Sequence, residues 1–600
     1  MKEQSEKLHN IRHSLAHILA STVMEMFPKA QLGVGPVIEN GFFYDFLLPR
    51  SLTPEDVARI EKRMRALVKE KLAFERQEMS THEAKTYFDH HLQPFKVQLI
   101  KDIEKHGTTV FDEIEEQNTK PAPRSPLPAD KVSLYKTGNF IDLCRGGHVK
   151  TTAEIDPQSF KLNKISGAYW RGDQKNPQMQ RIYGLAFESK KELDEYLQLQ
   201  EEISKRDHKV LGPKLGLFLF HELSPGIPFY QPKGTVVRNE LEKFAREFSY
   251  GDGYQEVKLP QLFDAELWKI SGHWDHFKDD MFVFKVEGRD FAMKPMNCPG
   301  HMVLYKQGLY SYKDLPLRFA EMTTLMRNEV SGALGGLART RAFAQDDSHI
   351  FLTPDQVSDE VTELLGRIER IYKVFGMEID EVYLSTRPEK ALGSPEEWKK
   401  AEDALAAALK KAKWKYEINK GDGAFYGPKI DMQIKDVLGR RWQLATVQLD
   451  FQMPKRFNLE YVDKDGSKKT PIVIHRALLG SFERFLAILI EHYAGAFPAW
   501  LSPVQAKILP ITDKQNKYSE QILKQLKENG IRAELDDRAE SVGKKIREAE
   551  IEKVPYMLII GEKEMKAKSV SIRGRNQKDL GSMKLDKFIK NLLEEIKKRK

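Results

Sequence analysis

The chain has 600 residues, too long for one hydrophobic core, so about three to five domains are expected. Its formal charge of +8 favours a polyanionic partner such as nucleic acid only weakly at this size, and its two cysteines, Cys144 and Cys298, exclude a disulfide framework and a four-cysteine zinc module. No apolar run of about 18 residues occurs and the opening MKEQSEKLHN is charged with no hydrophobic segment behind it, which argues against a membrane span or secretory signal and leads us to expect a soluble, cytosolic protein.

In chain order, IRHSLAHILASTVMEMF (11–27) spaces its apolar residues as a helix and sets His13 and His17 on one face. The HxxxH pair alone is open among metal ligation, anion binding, proton handling and plain packing. A Gly and aromatic stretch, GVGPVIENGFFYDF, comes next, then a Lys- and Glu-rich helix over 54–71 and a Pro-interrupted loop, TKPAPRSPLPAD. DLCRGGH supplies Asp142, Cys144 and His148, and with HxxxH the ligand types alone read as a zinc site. Residues 188–207, charged with leucines at helical spacing, read as a solvated connector helix. Residues 208–502 form the longest region and carry most of the Trp, Met and Gly-rich loops. Beyond them AKILPIT, IRAELDD, PYMLII and SVSIRG read as short strands interleaved with basic helices 516–528 and 541–552, a small α/β domain ending in a Lys-rich helix.

The densest chemistry lies at 318–351. An apolar strand ends in Arg327 and Glu329, a Gly-rich loop follows, and a second strand is expected to carry Arg339, Arg341, Phe343, Gln345, Asp347 and His349 at period two. So many polar groups on a core face would need buried partners, so this face suits a ligand with a phosphate, a flat base and a polar amine.

RNE followed by a Gly-rich loop resembles the second signature motif of the class II aminoacyl-tRNA synthetases, and IHRALLGSFERFLAILIE, with Arg484, resembles their third. The helix from about 235 to 248 leading to YQEVKLPQL and Pro260 resembles their dimer-forming first motif less specifically. MKPMNCPGHM, RAFAQDDSHIF, STRPEKALGS, DGAFYGPKI, TVQLDF and VIHRALLGS together resemble the threonyl-tRNA synthetase family, from residue 1 to the C-terminus. The resemblance implies an α+β multidomain protein: an N-terminal α+β editing domain (1–187), a linker helix (188–207), a class II catalytic core of antiparallel β-sheet with flanking helices (208–502) and an α/β anticodon-binding domain (503–600). It also implies threonine activation by ATP with Mg2+, transfer to the 3′ end of tRNA, a homodimer and the cytoplasm.

Residue roles follow from the same resemblance. Cys298, His349 and His475 would bind one zinc ion that takes the substrate amine and hydroxyl; their wide separation makes the spacing weak by itself, but the donor types suit tetrahedral zinc with an open position. Valine lacks the hydroxyl, which a merely hydrophobic pocket would sense poorly. Arg327 would pair with the α-phosphate and Arg484 with the γ-phosphate. Phe343 would stack on adenine, Glu329 read its amine, Arg339 meet the phosphate tail, and Gln345 and Gln448 the nucleotide or ribose. Asp347 would hold the threonine amine, with Tyr426 and Lys429 on the amino-acid side and Gln443 near the adenylate.

Serine lacks only a methyl, worth roughly 1–3 kcal/mol, so a second, hydrolytic site is expected. The resemblance assigns it to His13, His17, Lys96, Asp142, Cys144 and His148, acting through positioned water without a metal, against the zinc reading that ligand types suggest. The family often has proline where this chain has Gly147, so CRGGH should form a looser loop; SGAYWRGD (166–173) is similar to the second half of the same domain. Lys544, Lys545, Arg547 and Arg573 would track phosphate, with Glu564 and Arg573 as anticodon contacts and Ala539 where the family often has asparagine. Many family members begin with a ubiquitin-like domain, whereas this chain begins at the editing helix. Two rivals, a tRNA-binding protein without catalysis and a class II ligase for serine or proline, fit less well: the first should have lost Arg327, Arg484 or a zinc ligand, and the ligand trio and editing set weigh against the second.

Overall fold

A computed structural model describes residues 2–106, 130–173, 175–250 and 253–599; the expected Pro-interrupted loop lies outside them but for its last residue. The chain divides into two compact units, Met1–Glu201 and Glu202–Lys600, the divide falling inside the connector helix Lys190–Arg206.

In the first unit the helix Lys2–Met26 buries Leu15, Ile18, Leu19 and Val23 completely, the apolar stripe that its sequence periodicity announced. It packs on a five-stranded sheet in which Gly41–Leu47 and Gln178–Ala186 are central, flanked by Gln31–Leu32 and Phe160–Tyr169, with Val37–Ile38 also paired to Gly41–Leu47. The Lys- and Glu-rich helix runs Pro54–Lys69; Thr53 and Asp56 form a capping box and Pro54 takes a first-turn position where its missing N–H costs nothing. A smaller antiparallel sheet orders Phe74–Ser80, Lys131–Thr137 and Phe140–Leu143.

The second unit is built on an eight-stranded sheet. Its order is Tyr254–Glu256, Leu317–Glu321, Asp347–Leu352, Ile472–Ala477, Arg441–Asp450, Lys429–Lys435, Glu378–Ser385, Glu417–Asn419, antiparallel except for the parallel pair at each edge. The helices Pro232–Tyr250, Val357–Val374, Pro395–Lys411 and Phe482–His492 supply apolar faces to its core. A second core lies under a five-stranded sheet, Ala533–Leu535, Ala506–Pro510, Tyr556–Ile560, Ser569–Gly574 and Asp579–Lys584, parallel in its first three strands. The sequence patterning announces four of these five strands; Asp579–Lys584 is almost wholly exposed and has no alternation to reveal it.

One expectation is corrected. The single strand over 339–349 is two strands: Ala342–Ala344 pairs with Thr324–Met326 in a ribbon of its own, and Asp347–Leu352 enters the large sheet. Between them Gln345 bridges to Ser481, and buried Asp346 accepts the backbone amides of Leu478 at 2.9 Å and Leu479 at 3.0 Å. The chain breaks there because that carboxylate satisfies the turn leading into the helix Phe482–His492.

Candidate active and editing sites

The three expected metal donors meet. Cys298 opens the helix Cys298–Lys306, and His349 and His475 face each other as registered partners on neighbouring antiparallel strands. One donor atom from each lies within 4.8 Å of the others, and all three residues are buried. His349 Nε2 stands 3.0 Å from His475 Nδ1, while His475 Nε2 meets Asp450 Oδ2 at 3.0 Å on the far side of its ring. Burial, then the neighbouring His475 and His301, hold His349 well below the ordinary histidine value, so it keeps a lone pair at neutral pH. Burial pushes the Cys298 thiol well up, with Asp347 and Asp450 adding to it, so a thiolate there needs a cation beside it. This donor set fits a soft divalent metal with one tetrahedral position open.

The surroundings gather most of the remaining predicted groups, Gln443 excepted. Asp347 accepts from Asn297 Nδ2 at 3.0 Å, and burial pushes its carboxyl up. The Tyr426 ring stacks on His475 with centroids 4.9 Å apart, and its hydroxyl donates to Gln448. The Arg327 guanidinium lies 5.3 Å from the Phe277 ring and 5.0 Å from the buried Phe343 ring, so Phe343 faces a cation. Arg339 pairs with Glu329 at 2.8 Å, and Arg484 Nε donates to Ala338 O at 3.0 Å, tying the Gly-rich loop to the helix behind it. Lys429 lies between Asp431 at 2.9 Å and Asp422 at 3.2 Å, which keep it protonated against the pull of burial. Gln443 is exposed, beyond a register shift in the strand that carries Gln448.

The sequence reading missed four groups here. His273 Nε2 lies 4.0 Å from Cys298 Sγ, in a ring that burial, His475 and Arg327 pull down to about 3. Lys294, His301 and Glu321 form a buried cluster next to His349; burial pushes Glu321 up, but nearby His301 and hydrogen bonds from Lys294 and Thr323 hold it down to about 2. The signal was available in KPMNCPGHM, which places His301 one helical turn after Cys298.

In the first unit the six expected editing residues also converge. His13 and His17 share the helix Lys2–Met26, their rings 5.4 Å apart, and Cys144 Sγ lies 3.5 Å from His13 Nε2 and 3.1 Å from His148 Nε2. Ser14 Oγ meets His148 Nδ1 at 3.2 Å and orients that ring. Lys96, on the helix Pro94–His106, pairs with Asp142 at 2.7 Å, both side chains almost fully buried. Tyr44, a residue not anticipated, donates to Asp142 at 2.5 Å and accepts from Lys96 at 2.9 Å. Burial pulls His17 down to about 3 and His148 well below the ordinary value, so both rings are neutral hydrogen-bonding groups that resist protonation. Donor atoms of His13, His17, Cys144 and His148 also fall within 4.8 Å of one another, so the cluster meets the same metal criterion as the first. Gly147 has φ +88°, which proline, fixed near about −65°, cannot adopt; the departure in CRGGH therefore changes the course of the loop.

The C-terminal candidates are less concentrated. Glu564 caps its own helix by accepting Gly561 N at 3.0 Å, and Arg573 has its Nε buried without a hydrogen bond among the described residues. Lys545, expected to track phosphate, is instead buried and donates to Pro510 O at 3.1 Å, because it faces the sheet from the helix Val542–Ile551.

An antiparallel sheet with arginines on a strand-loop-strand and on a helix behind the last strand defines the catalytic core of a class II aminoacyl-tRNA synthetase. Residues 282–493 match the family described as "tRNA synthetase class II core domain (G, H, P, S and T)", residues 505–595 the "Anticodon binding domain" and residues 132–183 the "Threonyl and Alanyl tRNA synthetase second additional domain". Threonine–tRNA ligases from Acetivibrio thermocellus and Clostridioides difficile are each 49% identical to it, covering 98% and 100% of this chain and 88% and 89% of theirs. A crystal structure described as the RNA binding domain of threonyl-tRNA synthetase from Cryptosporidium parvum Iowa II is 44% identical, with a TM-score of 0.63 over 65% of this chain and 98% of that one. The chain belongs to the threonine–tRNA ligase family: an enzyme that joins threonine to tRNA at the expense of ATP and carries an editing domain for mischarged tRNA.

Proposed function

We propose that Cys298, His349 and His475 hold one zinc ion that selects threonine, and that His13, His17, Lys96, Asp142, Cys144 and His148 form a metal-free centre that hydrolyses seryl-tRNA. The observation that carries the first reading is the convergence of a thiol and two imidazoles within 4.8 Å from residues far apart in the chain. When bound there, zinc would supply a Lewis acid for the substrate amine and hydroxyl, and valine lacks the hydroxyl. Asp347, steadied by Asn297, accepts a hydrogen bond from the substrate amine, and Tyr426 walls the pocket through its stack on His475. Arg327, Arg339 and Arg484 bind the triphosphate that enters with Mg2+, and Phe343, Glu329, Gln345 and Gln448 receive the base and ribose. The threonine carboxylate then attacks the α-phosphorus and displaces pyrophosphate to give the acyl-adenylate, with Arg327 and Lys429 stabilising developing charge; no covalent enzyme intermediate is needed.

In the editing domain the neutral rings of His17 and His148 position the attacking water by hydrogen bonding, and Lys96 stabilises charge on the ester oxygen as the ester bond breaks, the water's proton passing to the departing ribose oxygen and serine being released. Glu564 and Arg573 contact the anticodon. We further propose domain boundaries at 187, 207 and 502, a homodimer and a cytoplasmic location; among the described residues no helix is long and apolar enough to cross a membrane.

Metal analysis with ATP–pyrophosphate exchange on threonine, serine, valine and proline tests the assignment. One zinc per chain, retained in Cys144→Ala and lost in Cys298→Ala, is expected, with exchange on threonine falling when zinc is stripped. Zinc-independent exchange overturns the trio, and a second equivalent lost in Cys144→Ala overturns metal-free editing.

A further inference from the structure

Beside the proposed zinc ligands sits a charged cluster that lies outside the donor trio. The side chains of Lys294, His301 and Glu321 are all 0% exposed. A buried ion pair is weak support for stability, since apolar residues of similar volume often serve as well. The cluster has a direction, however. Glu321 Oε1 accepts from Lys294 Nζ at 2.8 Å, from Leu259 N at 2.9 Å and from Thr323 Oγ1 at 2.5 Å. Its other oxygen, Oε2, lies 3.4 Å from His301 Nε2, an ion-pair approach, and neither of these two buried atoms has a hydrogen-bond partner among the described residues, so each is the other's nearest charge partner. On its opposite edge His301 Nδ1 lies 2.7 Å from His349 Nδ1.

Two ring nitrogens at that distance share one proton, one donating and the other accepting. A proton on His301 Nε2 points at the Glu321 carboxylate, which makes His301 Nδ1 the acceptor and places the shared proton on His349 Nδ1. The lone pair of His349 then sits on Nε2, the nitrogen that faces His475 within the donor trio. The opposite tautomer would set the His301 Nε2 lone pair against a carboxylate and aim a proton from His349 into the metal position. Asp450 does for His475 from the other side what His301 does for His349.

We propose that His301, anchored by Glu321, is a positioning residue that locks His349 in the tautomer able to bind zinc. The proposal rests on the reading that Cys298, His349 and His475 hold that ion. One short segment supplies both parts: Cys298 is a ligand and His301, one turn later on the helix Cys298–Lys306, orients another ligand across the sheet. Metal affinity thus depends on a residue with no contact to metal or substrate.

The test uses the full chain loaded with zinc, and reads metal affinity by chelator competition and the visible spectrum of the cobalt-substituted protein. In His301→Phe the affinity falls on the order of 10- to 100-fold and the cobalt spectrum shifts. His301→Gln, whose amide can accept from His349 and donate to Glu321, recovers most of the loss. The pair Lys294→Met/Glu321→Met exchanges the buried ions for apolar groups of similar size, so it keeps the fold while removing the anchor, and it too binds zinc more weakly. Wild-type affinity in His301→Phe or in the double variant overturns the proposal, as does a His301→Gln protein no better than His301→Phe. A wild-type protein that takes up no zinc overturns the ligand reading itself, and this proposal with it.

Discussion

At the scale of single residues, the editing centre is decided by a buried ion pair. Lys96 and Asp142 sit 2.7 Å apart with Tyr44 bridging both, and removing one partner leaves the other charge uncompensated in the interior. Lys96→Met should therefore destabilise the first unit by about 3–5 kcal/mol, read as faster amide exchange in the helix Lys2–Met26, and should abolish seryl-tRNA deacylation. Unaltered exchange would show that the pair is not a structural anchor. His17 gives the same unit a pH dependence with a definite sign. Its folded-state value is depressed to about 3 by burial, in a pocket where Asp142 opposes the shift and His13 and Lys96 add to it. The unfolded chain takes up a proton below the ordinary histidine value and the folded chain does not. Stability is fully present above about pH 6.5 and is lost between there and about 3, at roughly 1.4 kcal/mol per pH unit for this one group. Lowering the pH from 7 to 5 should raise the opening rate of the helix Lys2–Met26, corrected for intrinsic exchange, and His17→Gln should flatten that slope. Equal slopes in both proteins would remove His17 from the account.

At the scale of elements, position depends on how a loop or strand is held. Gly146 has φ +111°, and a Cβ there would lie 2.9 Å from the Tyr135 hydroxyl, while its N–H donates to Cys144 Sγ at 3.3 Å. Gly146→Ala should strain the loop by about 1–3 kcal/mol and slow deacylation at least tenfold by moving Cys144 and His148, with ATP–pyrophosphate exchange unchanged. A variant with wild-type deacylation would show the loop to be more forgiving than its geometry. Glu483 does comparable holding in the catalytic core: it pairs with Arg238 of the helix Pro232–Tyr250 and accepts the Ala344 amide at 2.9 Å, so it pins the strand of Phe343 against the helix of Arg484. These elements differ in how far the sequence reveals them. Helix Lys2–Met26 and the alternating strands are legible because one buried face fixes their period. The break at Gln345 and Asp346 is not, because it depends on amides over a hundred residues downstream. Cys298, His349 and His475 are legible as residue types, yet only strand register brings the two histidines face to face, and Tyr44 and Glu321 look like ordinary strand residues until their partners are in place.

At the scale of the whole second unit, polar contacts help attach the anticodon-binding domain to the catalytic core, beside the packing of Ile596 on its apolar cluster. Arg532 donates to Glu240 at 2.7 Å, to Trp500 O at 2.7 Å and to Ser502 O at 2.9 Å, and Arg575 donates to Ala496 O at 2.9 Å. Lys233 reaches Glu552 at 3.0 Å, but about a third of each side chain is exposed, so that pair contributes little in salt. The contacts of Arg532 are unequal to it: a planar guanidinium that satisfies two carbonyls and a carboxylate is worth about 2–3 kcal/mol, because removal strands acceptors that water reaches poorly. Both Glu240 and Lys233 lie on the helix Pro232–Tyr250, which also carries Arg238, the partner of Glu483. Loosening this attachment should therefore disorder the presentation of tRNA before it disturbs threonine activation, which depends on residues of the large sheet. Arg532→Ala should raise the KM for tRNA by on the order of tenfold, equivalent to about 1.4 kcal/mol, and leave ATP–pyrophosphate exchange within twofold. Lys233→Ala should change neither by more than twofold at physiological salt. If Arg532→Ala lowers exchange as much as charging, the two domains act as one body and the attachment is part of the active site's own support.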